Sequence, residues 1–157
     1  LATGAGRIVV EDNSVSRNTA ITDLRDIAGI AVMRRGVLAG NVDVPHGVVV
    51  QNNTVSGYTQ TSTSDGFGIV IGGMNHTVSG NTLTGNDVGL QQQAGHLPYP
   101  GDGSQDNLAD EYFGRDNSPM TCGNTCTGNS FSGNATDYRE VGGSIASGTI
   151  TNLNTGT

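Results

Sequence analysis

Short apolar runs alternate with polar corners along almost the whole chain. The stretch GFGIVIGGMNHTVSGNTLTGNDVGLQQ, residues 66–92, shows the pattern best: a run, a corner, a second run, a second corner, and then the same again. One set of segments comprises VEDNSVSRN (10–18), VQNNTVSGY (50–58), GMNHTVSGN (73–81) and CTGNSFSGN (126–134), with a fainter RRGVLAGN (34–41). Their apolar anchors Val15, Leu38, Val55, Val78 and Phe131 are spaced by 23, 17, 23 and 53 residues. A second set, GRIVV (6–10), GIAVM (29–33), GVVVQ (47–51), GIVIG (68–72) and GLQQQ (89–93), has opening glycines spaced by 23, 18, 21 and 21. Two independent markers thus share a period of about 21, the scale of a solenoid repeat.

Strands of three to five residues cannot bury enough surface alone. Stacked on the same strand of the next repeat, each extends a parallel sheet at ~4.8 Å per rung. Asn at the corners tolerates the left-handed backbone of a tight bend, and stacked Asn side chains can bond one another. The expected fold is therefore all-β: a right-handed parallel β-helix of six or seven coils of roughly 21 residues, in a single domain spanning 1–157. No apolar stripe of period 3.6 runs long enough for a helical array. Leucines are too few for a leucine-rich repeat, and the G-G-x-G-x-D pattern of calcium-binding solenoids does not occur.

The period breaks between Gln93 and Cys122. Residues 94–121 form an expected loop insertion holding three of the four prolines, Tyr99 and Tyr112, and the acids Asp102, Asp106, Asp110, Glu111 and Asp116. Solenoids project such insertions from one face, which often binds something. The carboxylates suit Ca²⁺, although their spacing matches no known calcium loop; no other cofactor is implied.

Composition agrees with the pattern: 25 glycines, no Trp and 13% charged residues. The formal net charge of −7 repels phosphate backbones, so nucleic acid is not an expected partner. No apolar stretch approaches the ~20 residues of a membrane helix. The chain opens on Leu1, as a processed or truncated start would, and the expected location is secreted or cell-surface. Cys122 and Cys126 in TCGNTC read as a local disulfide of an exported protein, with two free thiols as the alternative.

Aligning the repeats on Gly29, Gly47, Gly68 and Gly89 places Asp26, His46, Asp65 and Asp87 at one edge of one sheet, with Asp43 nearby. Two carboxylates with a His between them could perform acid/base chemistry on a glycosidic bond. The plainer reading is that each Asp caps a corner before glycine and that His46 is a turn residue beside Pro45. Arg34 and Arg35 could hold a hydroxylated or carboxylated sugar. Gln91, Gln92 and Gln93 could bond sugar hydroxyls or stack as an amide ladder. Tyr99 and Tyr112 could stack on sugar rings or pin the insertion to the coils. The triplets NNT (52–54), NHT (75–77) and NAT (134–136) match glycosylation acceptors but fall in the repeat's own corners.

The units G-[IV]-x-[IV] and N-x-[TS]-[VF]-S-G-N resemble the coils of right-handed parallel β-helices of the pectin-lyase-like group, well over 6–93 and loosely over 121–150. In polygalacturonase-like members, Asp and His stand just before the equivalent strand, and S-D-G (64–66) and P-H-G (45–47) are similar; the paired D-D of that family is absent. The resemblance implies a carbohydrate partner and a glycosidase- or lyase-like enzyme. Members of the group usually have more coils, so the chain is also readable as a portion of a larger β-helix. The alternatives are a non-catalytic segment for adhesion or glycan binding, or a subunit that completes a larger helix with another chain.

Overall fold

The computed structural model describes residues 8–19, 27–32, 45–61, 65–93, 124–141 and 150–151. The described residues form thirteen strands and no helix: β1 Val9–Glu11, β2 Ser14–Ser16, β3 Ile27–Val32, β4 Val49–Gln51, β5 Thr54–Ser56, β6 Gly66–Gly72, β7 Thr77–Ser79, β8 Thr82–Thr84, β9 Val88–Gln93, β10 Asn124–Thr127, β11 Ser130–Ser132, β12 Thr136–Val141 and β13 Ile150–Thr151. They build three sheets, each parallel throughout and stacked in chain order. The first is β1-β4-β7-β10-β13, the second β2-β5-β8-β11 and the third β3-β6-β9-β12. One strand from each sheet makes a coil, the arrangement of a parallel β-helix. The described strands supply four such triplets and the opening strand of a fifth.

The interior is a set of vertical columns. Val10, Val50, Val78 and Cys126 stack in the first sheet. Val15, Val55, Leu83 and Phe131 stack in the second. Ile30, Ile69, Leu90 and Tyr138 stack in the third, as do Val32, Ile71 and Gln92, with Glu140 next in register but exposed. Most of these side chains form one buried cluster. At roughly 1.5–3 kcal/mol for each fully buried aliphatic side chain, these columns are the main favourable term in the fold. Three-residue strands suffice because each inward residue has partners in the coils on either side.

Most described corners turn on a left-handed residue. Between the first and second sheets these are Asp12, Asn52, Gly80 and Gly128, with φ of 57°, 56°, 64° and 63°. The Asn that follows joins a ladder: the backbone N–H and Nδ2 of Asn13 both donate to Asn53 Oδ1 (3.1 and 2.9 Å). Asn53 donates likewise to Asn81 (2.9 and 2.9 Å), and Asn81 to Asn129 (3.0 and 2.9 Å). A second, shorter ladder joins Tyr58 N–H, Asn86 and Asn134 at the next corner. Bonding from coil to coil satisfies these buried polar groups and so offsets the desolvation cost of Asn in the interior. Corner glycine is required where coils touch: Gly57 has φ of 76°, and a Cβ there would lie 2.0 Å from Arg17 O.

The uniform 21-residue period is not the register. Stacked partners in the first sheet are 40, 28 and 48 residues apart, as in Val9, Val49, Thr77 and Thr125. In the third sheet the steps are 39, 21 and 48, as in Ile30, Ile69, Leu90 and Tyr138. Gly29, Gly68 and Gly89 do stack, but Gly47 does not join them. It precedes β4 in the first sheet, where its N–H donates to Met74 O (3.0 Å). The strand-opening glycine therefore marks two different sheets.

Length variation follows a rule. The first-to-second sheet links are two residues in all four coils: 12–13, 52–53, 80–81 and 128–129. The links into the third sheet span 17–26, 57–65, 85–87 and 133–135, and the links out of it span 33–48, 73–76, 94–123 and 142–149. Every insertion thus enters at one of the two edges of the third sheet. The expected insertion at 94–121 falls in one of these links and lies outside the described residues.

Candidate functional site

The third sheet is the face bordered by inserted chain on both edges, and insertions in a solenoid commonly mark the binding side. Its outward columns run Ala28, Phe67, Val88, Thr136 and Ala31, Val70, Gln91, Arg139. Phe67, Val70 and Val88 form a second buried apolar cluster, separate from the interior. Arg139 lies across this face. Its Nη2 donates to Asp65 Oδ2 at 2.7 Å, two coils away, and its Nε donates to Gln91 Oε1 at 2.5 Å in the coil between. The guanidinium carbon stands 5.3 Å from the centre of the Phe67 ring, a cation–π contact. Gln91 and Phe67 are buried beneath, whereas the Asp65 and Arg139 side chains keep 39% and 35% of their surface exposed. The arrangement offers an incoming polar molecule one carboxylate acceptor and the unengaged N–H groups of a planar, oriented donor.

Asp87 sits at the same edge but is occupied. Its Oδ2 accepts from the backbone N–H of Gln60 (2.7 Å) and of Gly66 (2.8 Å), closing the neck of the link into β6. This is the corner-capping role available to any Asp before such a bend. Asp137 accepts from Asn134 Nδ2 (3.0 Å), and Glu140 accepts from the Tyr138 hydroxyl (2.6 Å). Burial, reinforced by Glu140, drives the Tyr138 hydroxyl pKa upward.

His46 does not belong to the acidic edge. It is exposed and bridges to Met74 beyond the far end of β6. The seven residues of β6 separate the two edges by roughly 20 Å. The expected Asp/His cluster therefore divides, because Gly47 was aligned with glycines of another sheet. Asp65 and Asp87 remain together in the links into the third sheet; Asp26 lies outside the described residues. So do Arg34, Arg35, Tyr99, Tyr112 and Cys122. Gln93 ends β9 in register with Gly72 and Val141. Gln92 points inward and its Oε1 accepts from Asn124 Nδ2 (2.9 Å), so Gln91 and Gln92 lie on opposite faces and form no single ladder.

Cys126 is a free thiol buried in the interior column beneath the first sheet, which replaces the expected local disulfide at this residue. Desolvation pushes its pKa up to about 12. Of the two described histidines His76 is the buried one, and it stands where the next coil has Asn124. Its Nδ1 accepts from Val48 N–H (3.1 Å), its own N–H donates to Asn124 Oδ1 (2.9 Å), and Nε2 lies 3.3 Å from Gly72 O. It is a rung of a third polar ladder. Burial first, and His46 to a lesser degree, lower its pKa to about 4, against the opposing bond to Gly72. Among the described residues, no three His, Cys, Asp or Glu side chains are grouped to hold a metal.

Arg139 was not legible as a site residue from the uniform period. A signal was present: stacking Asn134 on Asn86 carries Arg139, five residues on, over Gln91. Comparison of the chain with protein-family models, with curated proteins and with solved structures finds no match.

Proposed function

We propose that this protein is a carbohydrate-acting parallel β-helix of the pectin-lyase-like kind. In this reading a glycan chain lies over the outward face of the third sheet, against Asp65 and Arg139. The observation that carries it is this half-exposed carboxylate–guanidinium pair, anchored on Gln91 and Phe67, on the one face bordered by every insertion. Sugar hydroxyls both donate and accept, and the pair offers one group for each role. In this reading Asp65 assists bond cleavage, and Asp26, which immediately precedes β3 in the sequence, supplies the second carboxyl that glycoside hydrolysis needs.

A panel of polysaccharides incubated with the protein, with products read by mass, tests this. A product with added water marks a hydrolase and an unsaturated product a lyase. Asp65→Asn should abolish turnover while the melting temperature falls by no more than a few degrees. Full activity in that variant would refute the assignment. Non-catalytic glycan binding is the second reading. It is favoured by Asp87 being tied to backbone N–H groups and by His46 standing at the opposite edge. Retention of a glycan with no product would select it.

A further inference from the structure

The second sheet has an outward face unlike the other two. Its four strands, β2, β5, β8 and β11, are three residues long and paired without offset. The middle residue of each points inward, so the first and third point out. The first positions stack as Ser14, Thr54, Thr82 and Ser130, all exposed. The third positions stack as Ser16, Ser56, Thr84 and Ser132, exposed in the two outer coils and partly exposed in the two inner ones. All eight outward positions are hydroxyls, although Ser and Thr supply only 30 of the 157 residues, so composition alone does not fill this face. Thr84 Oγ1 and Ser132 Oγ bond each other at 3.1 Å across one rung.

We infer that this face adsorbs to ice, a property that lies on a different sheet from the carbohydrate reading and does not depend on it. Two spacings carry the inference. Rungs repeat at ~4.8 Å along the stack, and the two columns lie ~6.6 Å apart, twice the rise of one strand residue. In frozen water each oxygen has four tetrahedral neighbours at an O–H···O separation of ~2.75 Å. That geometry puts next-nearest oxygens ~4.5 Å apart and repeats the hexagonal stacking at ~7.3 Å. The hydroxyl lattice agrees with a prism plane of ice to about a tenth along both axes. From the first coil to the fourth the mismatch reaches about 0.9 Å, less than an Oγ travels between χ1 rotamers.

A hydroxyl gains little by exchanging one water for another, so position is what the protein must supply. The Asn ladder along one border, and Val55, Leu83 and Phe131 packed behind, hold the strands at their spacing. The hydroxyls therefore stand in place before contact, and little ordering is left to be done there. A hydroxyl both donates and accepts, so it fits a water site of either polarity. The eight positions bring no charge to be desolvated against a neutral lattice. They also bring no aromatic ring of the kind that stacks on sugars, which favours ice over the surface of a crystalline polysaccharide.

The test grows ice slowly on a cold finger from a solution of the full chain and an inert protein of similar size, and measures the share of each taken into the ice. Incorporation at least about tenfold above the inert protein is expected, together with inhibition of ice recrystallisation. Thr82→Lys puts a charge in the middle of the face and should remove most of that excess, with the circular-dichroism spectrum and melting temperature as in the wild type. Thr82→Ser keeps the hydroxyl and should keep most of the adsorption. Thr136→Lys puts the same charge on the third sheet and should leave adsorption unchanged. Exclusion of the wild type from ice to the same extent as the inert protein overturns the inference, and so does adsorption that Thr82→Lys leaves intact. Retention on crystalline cellulose or chitin that Thr82→Lys abolishes, without adsorption to ice, overturns it in favour of a sugar lattice on this face. None of these outcomes bears on the polysaccharide panel that tests the third sheet.

Discussion

Acidification should destabilise this protein through one buried side chain, His76. In the folded state the ring is neutral: Nδ1 accepts the Val48 N–H, a role a protonated imidazole cannot fill. Burial lowers its pKa from 6.5 to about 4. The unfolded chain therefore holds one more proton than the folded chain between these values, and stability falls as pH falls through this window. Over about 2.5 units at ~1.36 kcal/mol each, the loss is about 3 kcal/mol, complete near pH 4 and absent above about pH 7. Such a loss is a large fraction of a typical domain's stability. The control is His76→Asn. One coil on, Asn124 Oδ1 accepts the His76 N–H in the same way, so an Asn at 76 can accept from Val48 without a titrating ring. Urea denaturation of both proteins at pH 7, 6, 5 and 4 provides the assay. The wild type should lose about 3 kcal/mol more than the variant between the end points. Carboxylates contribute to both curves and cancel in the difference. Parallel curves would refute the assignment of the acid sensitivity to His76.

Two further outcomes follow from the interior. Asn81→Ala removes the acceptor of two Asn53 donors and the donor to Val50 O; at ~1–3 kcal/mol for each orphaned buried group, it should cost about 3 kcal/mol or more in urea denaturation. A loss below about 1 kcal/mol would mean that the ladder is not a structural spine. Cys126 should resist iodoacetamide at pH 8 in the folded protein and react once urea unfolds it, as peptide mass mapping would report; labelling without denaturant would contradict its place in the core.

The fold class was legible because its cause is local. A short β-branched strand, a left-handed corner residue and an Asn recur wherever the chain must turn and stack, and these need no knowledge of distant contacts. Register was not legible, and the reason is a repeated tripeptide. Thr-Val-Ser occurs as β5 in the second sheet and as β7 in the first. The true partner of β5 is β8, Thr-Leu-Thr, five residues beyond β7. Both β5 and β7 alternate a small polar residue, an inward apolar residue and a second polar residue, and both lead into a tight corner. Matching the like tripeptides slips the alignment by one face of the coil. The same slip placed Gly47 with Gly68 and brought His46 to an edge it does not share.

Coil length was the better guide to the site. The two-residue links between the first and second sheets tolerate no insertion, since each carries one left-handed residue and one Asn whose amide must meet the coils on both sides. An added residue there would break a buried ladder, whereas added residues at the edges of the third sheet leave the ladders untouched. Variation is therefore channelled to one side of the molecule by the hydrogen bonding of the other. On that side Arg139 reaches across three coils to a carboxylate 74 residues earlier in the chain. An exposed ion pair of this kind contributes little to stability, about 0–1 kcal/mol. It spends two long side chains' freedom on a fixed geometry over a buried aromatic ring, and recognition is what a fixed, half-exposed geometry serves best.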